Sequence, residues 1–258
     1  MPDFASDHDL AAWLAAQAGE RLLNVRATSG LEGKELKDAG DAAAQEVLAD
    51  LLAAFAPGDA VLSEEAADSP TRLSADRVWI IDPLDGTREF SEPPREDWAV
   101  HVALWQWSEE AEGGDLVAGA VAQPALGEVF VTGLQAPVPP APADGNLRIA
   151  VSRSRPPAFV NDLVERLGAD LVPMGSAGVK VLSVVRGLSD LYVHAGGQYE
   201  WDSAAPVAVA RAAGLHTSRV NGSPLAYNRA NPYLPDLVVC RPELANTVLG
   251  ILATLDLT

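Results

Sequence analysis

The chain has one cysteine, Cys240, in 258 residues, which excludes an internal disulfide. Its setting, Leu237-Val238-Val239-Cys240, reads as a buried strand thiol and suits a reducing cytoplasm. Basic residues are also scarce. Eighteen Lys and Arg stand against 36 Asp and Glu, a formal charge of -18, which argues against a nucleic-acid polymer as partner because such binding needs basic surface to neutralise phosphates. No apolar run reaches the roughly 18 residues needed to span a bilayer, so no membrane partner is expected. The opening stretch, Met1 to Asp9, is acidic and lacks the basic and apolar regions of a secretory signal. Internal repeats, heptads and long low-complexity tracts are absent. These features leave a homodimer open.

Against these absences, 48% of the chain is hydrophobic, and its length allows one large domain or two small ones sharing a site. Ser6 with Asp9 caps a helix over 7–27, and Asp41 precedes a second over 42–55, with a Gly- and charge-rich loop between them. Strand-like runs follow at 60–63, 78–81, 98–105, 116–123 and 127–131, predicting an antiparallel sheet between helices. The Pro-rich stretch 137–145 is the expected boundary between an α+β half (1–140) and an α/β half (146–258). In the second half, strands at 147–152, 170–173, 190–194 and 236–241 alternate with helices at 157–168, 177–187, 202–213 and 242–255.

The most informative segment is Val78-Trp79-Ile80-Ile81-Asp82-Pro83-Leu84-Asp85-Gly86-Thr87-Arg88-Glu89-Phe90. Pro83 biases Asp82 toward extended geometry and the strand should stop there, with Asp85 on the turn. Gly86 permits close backbone approach, and a helix beginning here would offer free amides to an anion. Two hard carboxylates beside such a cradle suit Mg2+ bridging a phosphate. Ala60-Val61-Leu62-Ser63-Glu64-Glu65 repeats the pattern of a short apolar strand ending at acids, so Glu64 could reach the same cation. Asp202, in Trp201-Asp202-Ser203-Ala204-Ala205, sits where a helix-capping acid would sit, and alone it reads equally as a cap. Trp79 and Trp201 lie next to this chemistry, and the other tryptophans read as packing.

D-P-L-D-G-T-x-x-F, with W-D-S-A-A followed by Ala213-Gly214, resembles the two signatures of the inositol monophosphatase superfamily. That resemblance implies an α/β fold, a layered αβαβα sandwich with two or three Mg2+ ions between its halves, and lithium sensitivity. It implies Glu64, Asp82, Asp85 and Asp202 as metal ligands, with the carbonyl of Leu84. It places Thr87, oriented by Asp41, at the attacking water, so that Asp41, Thr87 and Glu64 form the catalytic set. The departure is Leu31 to Gly40, where Lys37-Asp38 replaces the family's Val-Thr. S-E-E, D-G-T-R-E-F, V-S-R-S-R and Y-x-x-W-D look most like the 3'(2'),5'-bisphosphate nucleotidase branch, the CysQ-like enzymes. The expected substrate is then a small phosphorylated nucleotide, adenosine 3',5'-bisphosphate (PAP) or its sulfated precursor PAPS, in sulfate assimilation. Asp85, Gly86, Thr87, Arg88 and Asp202 are its expected contacts. Ser152, Arg155, Ser176, Lys180 and His194 are candidates for a second phosphate site. An inositol monophosphatase or fructose-1,6-bisphosphatase activity, and a silent nucleotide-binding module, are the alternatives. The general acidic field should repel any such substrate, so bound cations would be needed for binding as well as chemistry.

Overall fold

We describe the chain from a computed structural model that covers residues 2–109, 113–134 and 145–257. The expected boundary at 137–145 falls almost wholly outside them. Two long helices lead: α1 (Asp7–Thr28) and α2 (Gly33–Phe55). The Ser6 hydroxyl accepts from the Asp9 amide at 3.2 Å and donates to its carboxylate at 2.8 Å, making the cap that the sequence announced. The span 31–40 differs from expectation, because helix α2 already begins at Gly33. Leu36, Gly40, Ala43 and Ala44 form its buried face, and that burial outweighs the glycines. Gly40 is a packing residue, since a Cβ there would lie 2.6 Å from the Phe90 ring and 3.0 Å from Leu84.

Strands β1 (Ala60–Ser63), β2 (Arg77–Asp85), β3 (Ala99–Gln106), β4 (Asp115–Gln123) and β5 (Glu128–Val131) form one sheet in that order. It is not wholly antiparallel, because β1 runs parallel to β2. Strand β2 does not stop at Asp82 but continues to Asp85 through an irregularity in its pairing with β3. A single turn, α3 (Thr87–Phe90), follows.

The second sheet has the order β7-β6-β8-β10-β9, from β6 (Arg148–Ser152), β7 (Asp170–Met174), β8 (Leu191–Ala195), β9 (His216–Ser218) and β10 (Asp236–Cys240). Between these strands lie α4 (Val160–Leu167), α5 (Ala177–Val185) and α6 (Glu200–Ala212), and α7 (Ala245–Leu252) closes the chain. The strand at 216–218 is too short to carry a periodic signal. Among the described residues, no helix is long and apolar enough to cross a membrane.

Alternation along the strands builds the layers. Trp79, Ile81, Val102 and Leu104 pack with α1 and α2, whereas Val78, Ile80, Ala99 and Ala103 pack with α5 and α6. The second sheet meets the same middle helices through Ala150, Tyr192, Leu237 and Val239, and its other face, with Ile149, Val193 and Val238, packs on α4 and α7. The result is the layered αβαβα sandwich. Trp79 faces away from the middle layer and donates its ring N–H to Asp59 at 2.8 Å. Cys240 is fully buried, and burial pushes its thiol up to about 12.

Candidate active site

A cleft of about 520 Å³ opens where the ends of β1, β2, β6 and β8 meet the first turns of α5 and α6. Ligand oxygens of Asp82, Asp85 and Asp202 lie within 4.8 Å of one another there. They arrive from separate elements: Asp82 and Asp85 from the end of β2, Asp202 from the first turn of α6. Glu64, just past β1, stands beside Asp82 and flanks this tight group rather than belonging to it. Leu84 lines the same wall, and its amide donates to Asp82 at 3.0 Å. Asp202 is ligand candidate and helix cap together, since its Oδ2 accepts the Tyr199 amide at 2.7 Å.

The electrostatics show what the cluster needs. Burial, then the charges of Glu64, Asp85 and Asp202, holds Asp82 well above the usual carboxylate range. Burial and the negative charges of Asp202 and Asp85 push Glu64 up to about 7, and burial with Asp85 raises Asp202 to about 6. Asp85 behaves oppositely. Burial works to raise it, but His101, Lys180 and the Ser176 hydroxyl overcome that and hold it well below the usual range. Oxygen-only donors crowded until they resist ionisation fit a hard divalent cation such as Mg2+, whose charge would relieve the repulsion.

His101 is the residue that the sequence reading missed. It lies on β3, fully buried, with Nε2 3.2 Å from Asp85 at ion-pair distance and Nδ1 3.1 Å from the Trp201 carbonyl. Alternation with Ala99 and Ala103 would have put it on the middle-layer face, but nothing local distinguishes it from a core histidine.

The remaining candidates divide by what they touch. Gly86, Thr87, Arg88, Ser152, Arg155, Ser176, Lys180 and His194 all line the cleft. Gly86 has φ 89°, a conformation that favours glycine. The anion cradle expected after it is slight, because α3 is one turn and its dipole correspondingly small. Arg88 and Arg155 are exposed and make no ion pair among the described residues. Ser152 accepts the Arg155 amide at 3.2 Å. Ser176 and Lys180 are turned inward: the hydroxyl donates to Asp85 at 2.5 Å, and Nζ donates to the carbonyls of Gly175 at 3.2 Å and Ser176 at 2.6 Å. His194 bonds the Gly196 carbonyl at 2.5 Å, and burial lowers it to about 4, so at neutral pH it offers no positive charge to a phosphate. Asp41 does not line the cleft, and among the described residues no hydrogen bond joins it to Thr87. Burial and the neighbouring Glu65 raise its carboxyl to about 7.

The sequence profile of the inositol monophosphatase family matches residues 6–251. The chain belongs to the inositol monophosphatase family. Within it, the chain is 52% identical to the 3'-phosphoadenosine 5'-phosphate phosphatase of Mycobacterium tuberculosis over 239 residues, covering 92% of this chain and 89% of that one. It is 30% identical to the 3'(2'),5'-bisphosphate nucleotidase CysQ of Escherichia coli, covering 88% and 96%. The crystal structure of CysQ from Bacteroides thetaiotaomicron is similar with a TM-score of 0.76 at 26% identity, over 92% of this chain and 98% of that one. The extragenic suppressor protein suhB from Bartonella henselae shares the fold at 20% identity and a TM-score of 0.75, over 95% of this chain and 98% of that one.

Proposed function

We propose that this family member is a Mg2+-dependent phosphomonoester hydrolase whose main substrate is adenosine 3',5'-bisphosphate, released as AMP and phosphate. The observation that carries the reading is the convergence of Asp82, Asp85 and Asp202 in one cleft that also presents the guanidinium groups of Arg88 and Arg155, which make no ion pair among the described residues. The names of the relatives in mycobacteria and enteric bacteria support the choice of nucleotide.

Asp82, Asp85 and Asp202, flanked by Glu64 and the Leu84 backbone, would hold the cations. Bound there, these supply water of lowered pKa, screen the phosphate and stabilise the leaving oxygen. Every other part of the task falls to the chain. Thr87, on the cleft wall two residues after Asp85, would orient the attacking water through its hydroxyl. Asp41, with its carboxyl raised to about 7 by burial and the neighbouring Glu65, would act as the proton acceptor near neutral pH once brought to Thr87. Arg88 and Arg155 are suited to the second phosphate, because planar guanidinium groups pair with phosphate oxygens. Such an enzyme would clear a by-product of sulfate assimilation in the cytoplasm, and competition by Li+ at the cation site is part of the reading.

The test is a phosphate-release panel at saturating Mg2+ with PAP, PAPS, inositol 1-phosphate and fructose 1,6-bisphosphate. PAP should give the highest kcat/KM, and activity should vanish with EDTA and fall in a Li+ series. A preference for inositol 1-phosphate would overturn the nucleotide assignment, and activity that persists in EDTA would overturn the metal assignment.

A further inference from the structure

We propose that the loop from Gly175 to Lys180, at the start of α5, is a positioning device for Asp85 that sets divalent-cation affinity. Oδ2 of Asp85 accepts the Ser176 hydroxyl at 2.5 Å and the Gly178 amide at 2.7 Å, and His101 closes on the same oxygen at 3.2 Å. Among the described residues no hydrogen bond reaches Oδ1. One carboxylate oxygen thus carries the contacts with the protein, and the other is the one left for a cation.

The loop is built for this contact. Ser176 has φ 46°, in the left-handed region that a non-glycine residue adopts only when its surroundings enforce it. Its hydroxyl also accepts the Val179 amide at 3.0 Å, and its carbonyl is held by Lys180 Nζ at 2.6 Å. Lys180 is almost wholly buried, with Nζ 5.4 Å from the centre of the Tyr192 ring, so it braces the loop at the cleft wall. The segment between β2 and β3 grips the loop twice more. Asp97 accepts the Gly175 amide at 2.6 Å, and Glu89, held by Arg153 at 2.8 Å, packs so closely that a Cβ on Gly175 would lie 2.2 Å from its carboxyl carbon. Gly178 is constrained likewise, because a Cβ there would lie 2.1 Å from His101 Nε2. A loop from one sheet's layer therefore orients a ligand from the other.

The inference rests on the divalent-cation reading above, and its test needs no substrate. Mg2+ is titrated calorimetrically into the full chain and into Ser176→Ala and Ser176→Gly. The glycine variant removes the hydroxyl while relieving the backbone strain, so it keeps the fold accessible. Both variants should bind Mg2+ about 10-fold more weakly or worse, the scale of lost bonds to a metal-ligating group. Their KM for PAP at saturating Mg2+ should equal that of the unsubstituted chain. Variants that bind Mg2+ normally, or that raise KM at saturating Mg2+, would overturn the positioning role. Absence of Mg2+ binding by the unsubstituted chain would instead overturn the cation reading.

Discussion

Nε2 of His101 lies 3.2 Å from Oδ2 of Asp85 in the buried middle of the molecule, and this pair explains why two carboxylates on one strand end behave differently. Against burial, His101, Lys180 and the Ser176 hydroxyl lower the carboxyl of Asp85, while burial and the charges of Glu64, Asp85 and Asp202 raise that of Asp82. The repulsion that raises Asp82 is what a bound ion would relieve.

Replacing Asp82 by Asn, which keeps the shape but removes the charge, should lower kcat/KM for PAP by about 10³-fold or more, since charge stabilisation by such ions amounts to several kcal/mol. The Mg2+-induced rise in Tm should be lost in the same variant. Thermal denaturation with and without Mg2+ separates this from simple unfolding.

The pH dependence of stability follows from the raised carboxyls. Glu64 and Asp41 at about 7 and Asp202 at about 6 keep protons in the folded state that the unfolded chain releases near 4. The folded state therefore binds more protons, and the stability this contributes is lost as pH rises through 6 to 7. His194, lowered to about 4, works in the opposite sense, but only below its unfolded value of 6.5. In EDTA the Tm should fall from about pH 4 to about pH 7 and level off above it, and saturating Mg2+ should reverse the slope because ionised ligands bind it. A flat or rising Tm in EDTA would contradict these shifts.

Arg155 and Arg88 make a different kind of claim, about substrate choice. Arg155→Ala should raise the KM for PAP roughly 10-fold or more, the scale of a lost charge-assisted bond, and change the KM for a nucleoside 3'-monophosphate little. Arg88→Ala should show the same selectivity to a similar degree. Steady-state kinetics on the paired substrates decide it, and equal effects on both would remove these residues from second-phosphate recognition.

Gly40→Leu probes packing. The new side chain would meet the Phe90 ring and Leu84, so the variant should lose about 1–3 kcal/mol of stability by overpacking. Since Leu84 and Phe90 flank the Asp85-Gly86-Thr87 turn, activity at low Mg2+ should fall with it. Urea denaturation gives the first quantity and a Mg2+ dose series the second.

The order of elements, their helical and strand periods, and the acids at the ends of β1 and β2 could be read from the chain alone, because capping, alternation and turn chemistry are local properties. Glu64, Asp82 and Asp85 were legible as candidates because they are acids at strand ends, and Asp202 became one through the family resemblance. The continuation of α2 back to Gly33 was not, because it depends on Leu36, Gly40 and Ala43 burying against Phe90 and Leu84, residues far away in sequence. Nor were His101 and the inward turn of Ser176 and Lys180. A histidine in an apolar strand and a lysine on a helix carry no local mark of their partners. Their roles arise only when the two sheets close on α5 and α6, since charge pairing and desolvation depend on which groups the fold brings within a few ångströms.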